Sequence, residues 1–209
     1  MKTSVIIPVK SFQKSKTRLH LSKEKTIEIC RLLLEEVVKT VSESKLIHEI
    51  IIVTNEEQIL DIIEKYNCKK IQDEYEISVN DAVGLAEKYL IENKFTHSIV
   101  LPLDVPFFYA EDLEKLLNFS SEKSVVIIPS RHFDGTNALL RAPINSMKPR
   151  YDEGSYIFQV ESAKNFDVKI SIGLINRFML DIDNMEDLDF VLKHNIKPEL
   201  CERIKEIIQ

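Results

Sequence analysis

Four cationic side chains lie close together directly after the first apolar run of the sequence. They are Lys10, Lys14, Lys16 and Arg18. The β-branched run Val5–Val9 predicts a buried strand, and a helical pattern begins near Ser22. A strand, a basic loop and a helix N-terminus in this order favour binding of an anion, with a phosphate as the expected ligand. The loop alone is slightly more typical of a solvated, lysine-rich turn.

Acidic side chains follow two later strand-like runs. Asp104 comes directly after SIVLPL, and Asp181 and Asp183 surround the end of FMLDI. A carboxylate at the end of a buried strand suits Mg²⁺, which binds one or two carboxylates together with substrate phosphates. A strand over Phe178–Ile182 would place Asp181 and Asp183 on one face. The position of Asp104 is equally typical of a turn or a helix cap. Asp181 and Asp183, taken without Asp104, are more often surface residues than metal ligands. Together the three acids could serve one ion.

A polar turn offers a place for a second ligand. In DGTNAL, Gly135 permits a tight turn, and Thr136 and Asn137 supply a hydroxyl and an amide beside free backbone N–H groups. Such a turn suits a small phosphorylated or carboxylated ligand. The segment Glu153-Gly154-Ser155 is a comparable candidate. An ordinary turn and a helix cap are strong competing interpretations of these two segments.

The signatures of other chemistries are missing from the sequence. It contains no P-loop, dinucleotide-binding or G-x-S-x-G motif, and its histidines lack metal-like spacing. A net charge of −6 argues against a protein that coats nucleic acid. No apolar run is long enough to span a membrane. The isolated Cys30, Cys68 and Cys201 predict reduced thiols in a cytoplasmic protein. Metal-assisted phosphoryl or nucleotidyl transfer to a small molecule fits these residues.

Strand and helix patterns alternate as far as Pro129. The predicted strands are Val5–Val9, His48–Thr54, Cys68–Gln72, Ser98–Leu103 and Ser124–Pro129. The predicted helices are Ser22–Ser42, Glu56–Tyr66, Val79–Asn93 and Ala110–Leu117. This alternation predicts an α/β fold with a parallel, doubly wound sheet.

The pattern changes after Asp134. An extended run to Pro143 follows the fifth strand with no helix between them, which predicts a mixed sheet. The later elements are a helix near Tyr156–Asn165, strands Val168–Ile172 and Phe178–Ile182, and helices Met185–Asn195 and Pro198–Ile208. Because no linker or repeat interrupts the chain, we expect one domain over residues 1–209.

Five segments of the sequence carry a resemblance to a known family. They are IPVKSFQKSKTRL, LPLDVPFF, SRHFDGTNALLRAP, YDEGS and LDIDNMEDL. In this order and spacing, the chain resembles the 2-phospho-L-lactate guanylyltransferase family of coenzyme F420 biosynthesis, as far as about His194. The resemblance implies a three-layer Rossmann-like fold of the sugar-nucleotidyltransferase type, with a mostly parallel mixed sheet.

The resemblance also implies a reaction and roles for individual residues. GMP would move from GTP to the phosphate of 2-phospho-L-lactate, with Mg²⁺ as cofactor, giving lactyl-2-diphospho-5'-guanosine and pyrophosphate. The implied catalytic residues are Lys16, Arg18 and Asp104. The implied nucleotide-binding residues are Pro8, Lys10, Lys16, Arg18 and Asn80. The implied acceptor-binding residues are Thr136, Asn137, Gly154 and Ser155. The implied metal ligands are Asp104 and Asp183, with Asp181 as a supporting acid.

The sequence departs from the family pattern in two places. A Phe-Gly pair of the family is replaced by Tyr151-Asp152, and the stretch around Asn80 lacks its usual glycine. The first departure leaves phosphoenolpyruvate, 3-phosphoglycerate or a sugar phosphate with another nucleotide open as alternatives. A non-catalytic relative that binds nucleotide or a partner protein is a further alternative. A homodimer is compatible with the sequence, because such domains often pair through the segment after the sixth strand.

Overall fold

The computed structural model describes residues 1–12, 16–151 and 154–209. Its strands are β1 Thr3–Val9, β2 Glu49–Thr54, β3 Lys69–Gln72, β4 His97–Val100, β5 Ser124–Pro129, β6 Thr136–Ala142 and β7 Lys169–Ile172. Its α-helices are α1 Lys23–Ser42, α2 Leu60–Lys65, α3 Val79–Glu92, α4 Ala110–Asn118, α5 Ser155–Lys164, α6 Met185–His194 and α7 Pro198–Ile208. A 3₁₀ turn at Thr17–Leu19 precedes α1.

The strands form a seven-stranded sheet in the order β3-β2-β1-β4-β6-β5-β7. Strand β6 is antiparallel to both of its neighbours, β4 and β5, and the other pairs are parallel. The mixed sheet predicted from the missing helix before β6 is therefore confirmed. Since β6 runs opposite to β4, its first residues lie at the edge of the sheet where β4 ends.

Helices cover both faces of the sheet. Alternate residues of β1 point to opposite faces, so that Val5 and Ile7 pack with α1, α4, α6 and α7, whereas Ile6 packs with α3 and α5. Burial on both faces explains why β1, an interior strand, is a continuous apolar run. The three-layer α/β architecture predicted from the sequence is confirmed.

Local sequence signals explain where the helices begin. The Ser22 hydroxyl accepts a hydrogen bond from the Lys25 N–H and caps α1, as the sequence predicted. Ser78 caps α3 in the same way, through the Asp81 N–H. The second helix is shorter than predicted, because the carboxylate of Glu56 accepts hydrogen bonds from the backbone of Phe12 and Gln58 instead of entering a helix.

The predicted strand over Phe178–Ile182 is wrong. A turn precedes Leu180 and the segment pairs with no strand of the described sheet. The buried Phe178 instead stacks on Phe108, with ring centroids 4.6 Å apart, and the Ile182 N–H donates to the Asp104 carbonyl at 3.0 Å. Burial of Phe178 and Ile182 in the core thus determines this segment, and strand alternation does not orient Asp181 and Asp183.

Two further expectations concern thiols and membranes. Cys30, Cys68 and Cys201 are free, and Cys30 and Cys201 are buried. Among the helices of the described residues, none combines the length and apolar character required to cross a membrane.

Candidate active site

Three segments meet at the carboxyl edge of the parallel strands. The loop after β1 carries Lys16, the loop after β4 carries Asp104, and the segment before α6 carries Asp183. Strands β1 and β4 are parallel neighbours, so both loops leave the sheet at the same edge. The hydrogen bond from the Ile182 N–H to the Asp104 carbonyl brings the third segment to the same edge of the sheet.

Lys16 bridges two of the predicted metal ligands. Its Nζ lies 2.6 Å from Asp104 Oδ2 and 2.7 Å from Asp183 Oδ1, and only 9% of its side chain is exposed. Burial alone would lower the pKa of this ammonium, but the two carboxylates outweigh burial and raise the pKa well above its usual range. Lys16 is therefore a fixed positive charge between two acids.

Asp181 is the third acid of this group. Burial, together with the negative charges of Asp104 and Asp183, raises the pKa of the Asp181 carboxyl to about 7. Lys16 pairs with Asp104 and Asp183, so that two carboxylates face one ammonium, and Asp181 adds a third carboxyl beside them. The site therefore has an excess of negative charge. An additional cation is the complement that this charge pattern favours.

The donor set fits Mg²⁺ bound together with a substrate. No three acidic, histidine or cysteine side chains within residues 1–12, 16–151 and 154–209 are arranged as a preformed metal cage. However, Asp104 and Asp183 are close enough to share one cation, because both contact the same Lys16 atom. Mg²⁺ commonly takes one or two carboxylates and completes its shell with water and phosphate oxygens. Carboxylate oxygens are also the hard donors that it prefers.

A cleft beside Lys16 collects most of the predicted nucleotide-binding residues. Its volume is about 270 Å³, and it is lined by Pro8, Lys10, Lys16, Val79, Val100, Pro102, Leu103, Asp104 and Tyr151. A smaller cavity of about 170 Å³ adjoins it at Lys16 and is lined by Thr17, Arg18 and Asp183. Lys14, the remaining cation of the predicted basic loop, lies outside the described residues.

A larger groove of about 560 Å³ lies elsewhere, between α4 and residues 174–177. None of the predicted site residues lines it. Because the cations and the strand-end acids converge at the smaller cleft, the chemistry of the side chains identifies the cleft as the candidate site.

The predicted acceptor residues form a second group at the same edge. Thr136 begins β6 and receives a hydrogen bond from the Ser155 hydroxyl at 3.0 Å. The buried side-chain amide of Asn137 lies beside the Asp181 carboxyl and lowers the pKa of that carboxyl in opposition to burial. Gly154 precedes α5 with a φ of 72°. The acceptor group therefore borders the acidic group through Asn137.

Asn80 does not line the cleft beside Lys16 but a separate cavity of about 390 Å³. Its side-chain oxygen accepts a hydrogen bond from the Tyr151 N–H at 2.8 Å, and Tyr151 lines the cleft with Lys10 and Lys16. The sequence predicted Asn80 as a nucleotide-binding residue and did not predict its bond to Tyr151. Asp152 and Glu153, which follow Tyr151, lie outside the described residues.

Two acids that the sequence did not indicate hold the start of the basic loop. The Phe12 N–H donates to Glu56 at 3.0 Å, and the Ser11 N–H donates to Glu76 at 3.0 Å. Glu56 follows β2 much as Asp104 follows β4, and this position at a strand end was the available signal. These carboxylates bind the backbone of Ser11 and Phe12 at the start of the basic loop.

Asp187 is a further residue that the sequence analysis missed. Its carboxylate accepts hydrogen bonds from the backbone N–H groups of Asp183 and Asn184, and it pairs with Arg131. The spacing Asn184-x-x-Asp187 before an apolar run is typical of a helix capping box, which was the available signal.

The sequence is similar to known guanylyltransferases over most of its length. A family model described as "Guanylyl transferase CofC like" matches residues 3–207. The 2-phospho-L-lactate guanylyltransferase of Methanobrevibacter smithii is 28% identical, over 97% of this chain and 89% of that protein. The phosphoenolpyruvate guanylyltransferase of Conexibacter woesei is also 28% identical, over 90% of this chain and 86% of that protein. The 3-phospho-D-glycerate guanylyltransferase of Colwellia psychrerythraea is 28% identical, over 91% of both proteins.

Solved structures with low sequence identity share the fold. A protein of Desulfovibrio desulfuricans G20 assigned to the nucleotide-diphospho-sugar transferases superposes with a TM-score of 0.74 at 14% identity, covering 99% of both chains. The 4-diphosphocytidyl-2C-methyl-D-erythritol synthase of Anaerococcus prevotii gives a TM-score of 0.65 at 18% identity, covering 92% of this chain and 95% of that one. The nucleotidyltransferase type of fold expected from the resemblance is confirmed. With its match to the family model over nearly its whole length, the chain belongs to the CofC-like family of guanylyl transferases.

Proposed function

We propose that this protein transfers GMP from GTP to the phosphate of 2-phospho-L-lactate, giving lactyl-2-diphospho-5'-guanosine and pyrophosphate. The observation that carries the proposal is the Lys16 ammonium held between Asp104 and Asp183, beside a cleft lined by Pro8 and Lys10. Family membership and the names of relatives such as the Methanobrevibacter smithii enzyme support the choice of nucleotide and acceptor.

The cations would bind the triphosphate of GTP. Lys10 and Lys16 line the cleft, and Arg18 lines the adjoining cavity with Asp183. Lys10 and Arg18 are exposed, so phosphate oxygens can reach them without a rearrangement of the core. Lys16 faces both cavities and is the residue best placed to meet the phosphates and the acids together.

Asp104 and Asp183 would hold Mg²⁺, with Asp181 beside them as the supporting acid. When bound there, the ion would neutralise negative charge on the α-phosphate and on the departing pyrophosphate. Lys16 and Arg18 would add positive charge on the side of the leaving group.

The transfer itself forms one bond and breaks one. An oxygen of the acceptor phosphate attacks the α-phosphorus of GTP, and the bond from that phosphorus to the bridging oxygen of the β-phosphate breaks. Its electron pair leaves with pyrophosphate. The attacking oxygen is already ionised at neutral pH, so no general base is required, and alignment and charge neutralisation supply the rate enhancement. Thr136, Asn137, Gly154 and Ser155 would hold the acceptor in line.

The relatives of this chain are named for different acceptors. Relatives named for 2-phospho-L-lactate, phosphoenolpyruvate and 3-phospho-D-glycerate are each 28% identical to this chain. All three acceptors are small three-carbon acids with a phosphate. Their size and charge suit the polar turn that carries Thr136 and Asn137. We place the reaction in the cytoplasm, a location supported by the three free thiols.

Pyrophosphate release tests the proposal directly. The full chain is incubated with Mg²⁺, GTP and one acid at a time, either 2-phospho-L-lactate, phosphoenolpyruvate or 3-phosphoglycerate, with ATP and CTP as nucleotide controls. We expect GTP-dependent release that is fastest with 2-phospho-L-lactate. Release that is fastest with another acid would replace the acceptor and retain the chemistry. GTP binding without release in any mixture would favour the non-catalytic alternative.

Variants of two acids complete the test. Asp104→Ala should abolish release while the protein stays folded, because Lys16 keeps its contact with Asp183. Asp61→Ala is the matched control, since Asp61 is an exposed acid of α2 that pairs with Arg31 of α1. Full activity of Asp104→Ala with Mg²⁺ present would contradict the role assigned to Asp104.

A further inference from the structure

One buried carboxylate, that of Asp187, binds the backbone of the segment that carries Asp183. Asp187 Oδ2 accepts the backbone N–H of Asp183 at 3.1 Å and that of Asn184 at 3.2 Å. Because these bonds act on the main chain, they define where the Asp183 side chain leaves the backbone. Only 5% of the Asp187 side chain is exposed, so water competes little for these bonds.

Arg131, from the turn before β6, pairs with the same Asp187 carboxylate. Its Nη2 lies 2.6 Å from Asp187 Oδ1, and its guanidinium lies 4.5 Å from the centre of the Phe190 ring on α6. The same carboxylate thus uses one oxygen for the Asp183 loop and the other for Arg131. Charge pairing compensates the burial of Asp187 and keeps its acceptor oxygens in place.

Arg131 also belongs to the turn that leads to the acceptor residues. Ser130, its neighbour, accepts hydrogen bonds from the N–H groups of Asp134 and Gly135, and Gly135 is followed by Thr136. The pair Arg131–Asp187 therefore connects the turn before β6 with the acidic segment before α6. These two segments are more than forty residues apart in sequence.

From this geometry we infer that Asp187 and Arg131 are positioning residues, which orient Asp183 for metal binding and fix its place relative to Thr136. The inference rests on the proposed function, since it takes Asp183 as a ligand of the divalent ion. Neither residue contacts the candidate cleft, so neither is assigned a catalytic role. Partners of this outer kind typically change metal affinity about 10-fold to 100-fold when they are removed.

The fold supplies a matched control outside the cleft. Asp112 occupies the corresponding capping-box position of α4, is buried, and pairs with Arg177 at 2.6 Å. Arg177 also lies over an aromatic ring, that of Tyr109, at 4.9 Å. This second pair has the same structural role, but it lies at the groove that contains none of the predicted site residues.

The test compares Arg131→Met with Arg177→Met in the full chain. Mn²⁺ is the probe, and its affinity is measured by electron paramagnetic resonance titration, with thermal unfolding recorded for each variant. We expect both variants to lose comparable stability, and only Arg131→Met to lose at least about 10-fold in Mn²⁺ affinity. Arg131→Lys, which retains one charged donor, should recover most of that loss.

Two other results would contradict the inference. Equal changes in Mn²⁺ affinity for Arg131→Met and Arg177→Met would overturn the inference and leave Asp187 as a helix cap only. A wild-type protein that binds no Mn²⁺ would overturn it as well. If Arg131→Met does not fold, Asp187→Asn and Asp112→Asn provide the same comparison. Pyrophosphate release by the wild type reports separately on the proposed function, because Mn²⁺ binding with the expected difference but without release would reject the function alone.

Discussion

Lys16 Nζ lies 2.6 Å from Asp104 Oδ2, so the ammonium of the basic loop occupies the space in front of the acid that ends the β4 segment. The same nitrogen reaches Asp183 at 2.7 Å. Lys16 therefore satisfies the two carboxylates that the proposed function assigns to Mg²⁺. A divalent ion bound to these same oxygens would compete with the ammonium, and the phosphates of a nucleotide offer the ammonium another partner.

Replacing Lys16 should separate metal binding from turnover. Lys16→Met removes the competing ammonium, so Mn²⁺ should bind the nucleotide-free protein more tightly than it binds the wild type. Pyrophosphate release should fall about 100-fold or more, because the variant lacks a cation that stabilises the transition state. Metal titration and release assays measure the two effects. Lys65→Met, which breaks an exposed pair with Glu35, is the control and should change neither. Unchanged Mn²⁺ affinity in Lys16→Met would contradict the competition.

Gly154 tests the acceptor group through its backbone. Its φ of 72° is unfavourable for any side chain, at a cost of about 1 to 2 kcal/mol for alanine, and the turn must shift to relieve it. Gly154→Ala should therefore raise the KM for the acid acceptor several-fold and leave the KM for GTP nearly unchanged. Steady-state kinetics with each substrate varied in turn provide the measurement.

The control for this variant is Gly84→Ala. Gly84 lies in α3 with no atom within 4 Å of an added Cβ, so alanine there should be neutral or slightly stabilising. A Gly154→Ala protein with wild-type kinetics for both substrates would exclude a role for this turn in acceptor binding.

Lys197 should be important for stability. Its buried ammonium lies 2.7 Å from Glu36 on α1, and it donates to the carbonyl groups of Pro106 and Phe108 in the segment after Asp104. Lys197→Met leaves Glu36 buried without its partner, which typically costs about 3 to 5 kcal/mol. Urea unfolding of this variant and of Lys193→Met, an exposed residue of α6, measures the difference.

A second variant separates the charge effect from simple loss of packing. The double variant Lys197→Met with Glu36→Leu removes both charges and should recover a large part of the lost stability. If the double variant is as unstable as Lys197→Met alone, the uncompensated charge of Glu36 is not the cause.

Asp112 predicts a stability difference that depends on pH. Burial alone would raise the pKa of its carboxyl, but hydrogen bonds from Arg177 and from the Tyr109 N–H outweigh burial and hold the pKa below its usual value of 3.8. A carboxyl with a lowered pKa in the folded state stabilises the fold above its unfolded-state pKa. That contribution is lost as the pH falls through the folded-state pKa.

The wild type should accordingly exceed Asp112→Asn in free energy of unfolding by about 1 to 3 kcal/mol at pH 7. The difference should shrink as the pH is lowered below about 4. Urea unfolding at several pH values measures it, with the fully exposed Asp167 as a control through Asp167→Asn. A difference that is constant over the whole pH range would contradict the ionised state assigned to Asp112.

The sequence by itself determined the features that depend on near neighbours in the chain. The apolar run around Ile6 predicted a buried strand, Ser22 predicted the start of α1, and the missing helix before Thr136 predicted the mixed sheet. The resemblance carried by the strand-end motifs added the family, and with it the expected grouping of Lys16, Asp104 and Asp183. The structure brings these three residues together.

Tertiary structure decided the features that depend on residues distant in the chain. The segment before Asp181 has a strand-like pattern, but its Phe178 is buried against Phe108 and the segment pairs with no strand of the described sheet. The support of Asp183 by Asp187 and Arg131 also required the turn before β6 to approach the start of α6. No local pattern encodes such a meeting, because its energy comes from burial and charge pairing that exist only once the sheet has brought the segments together.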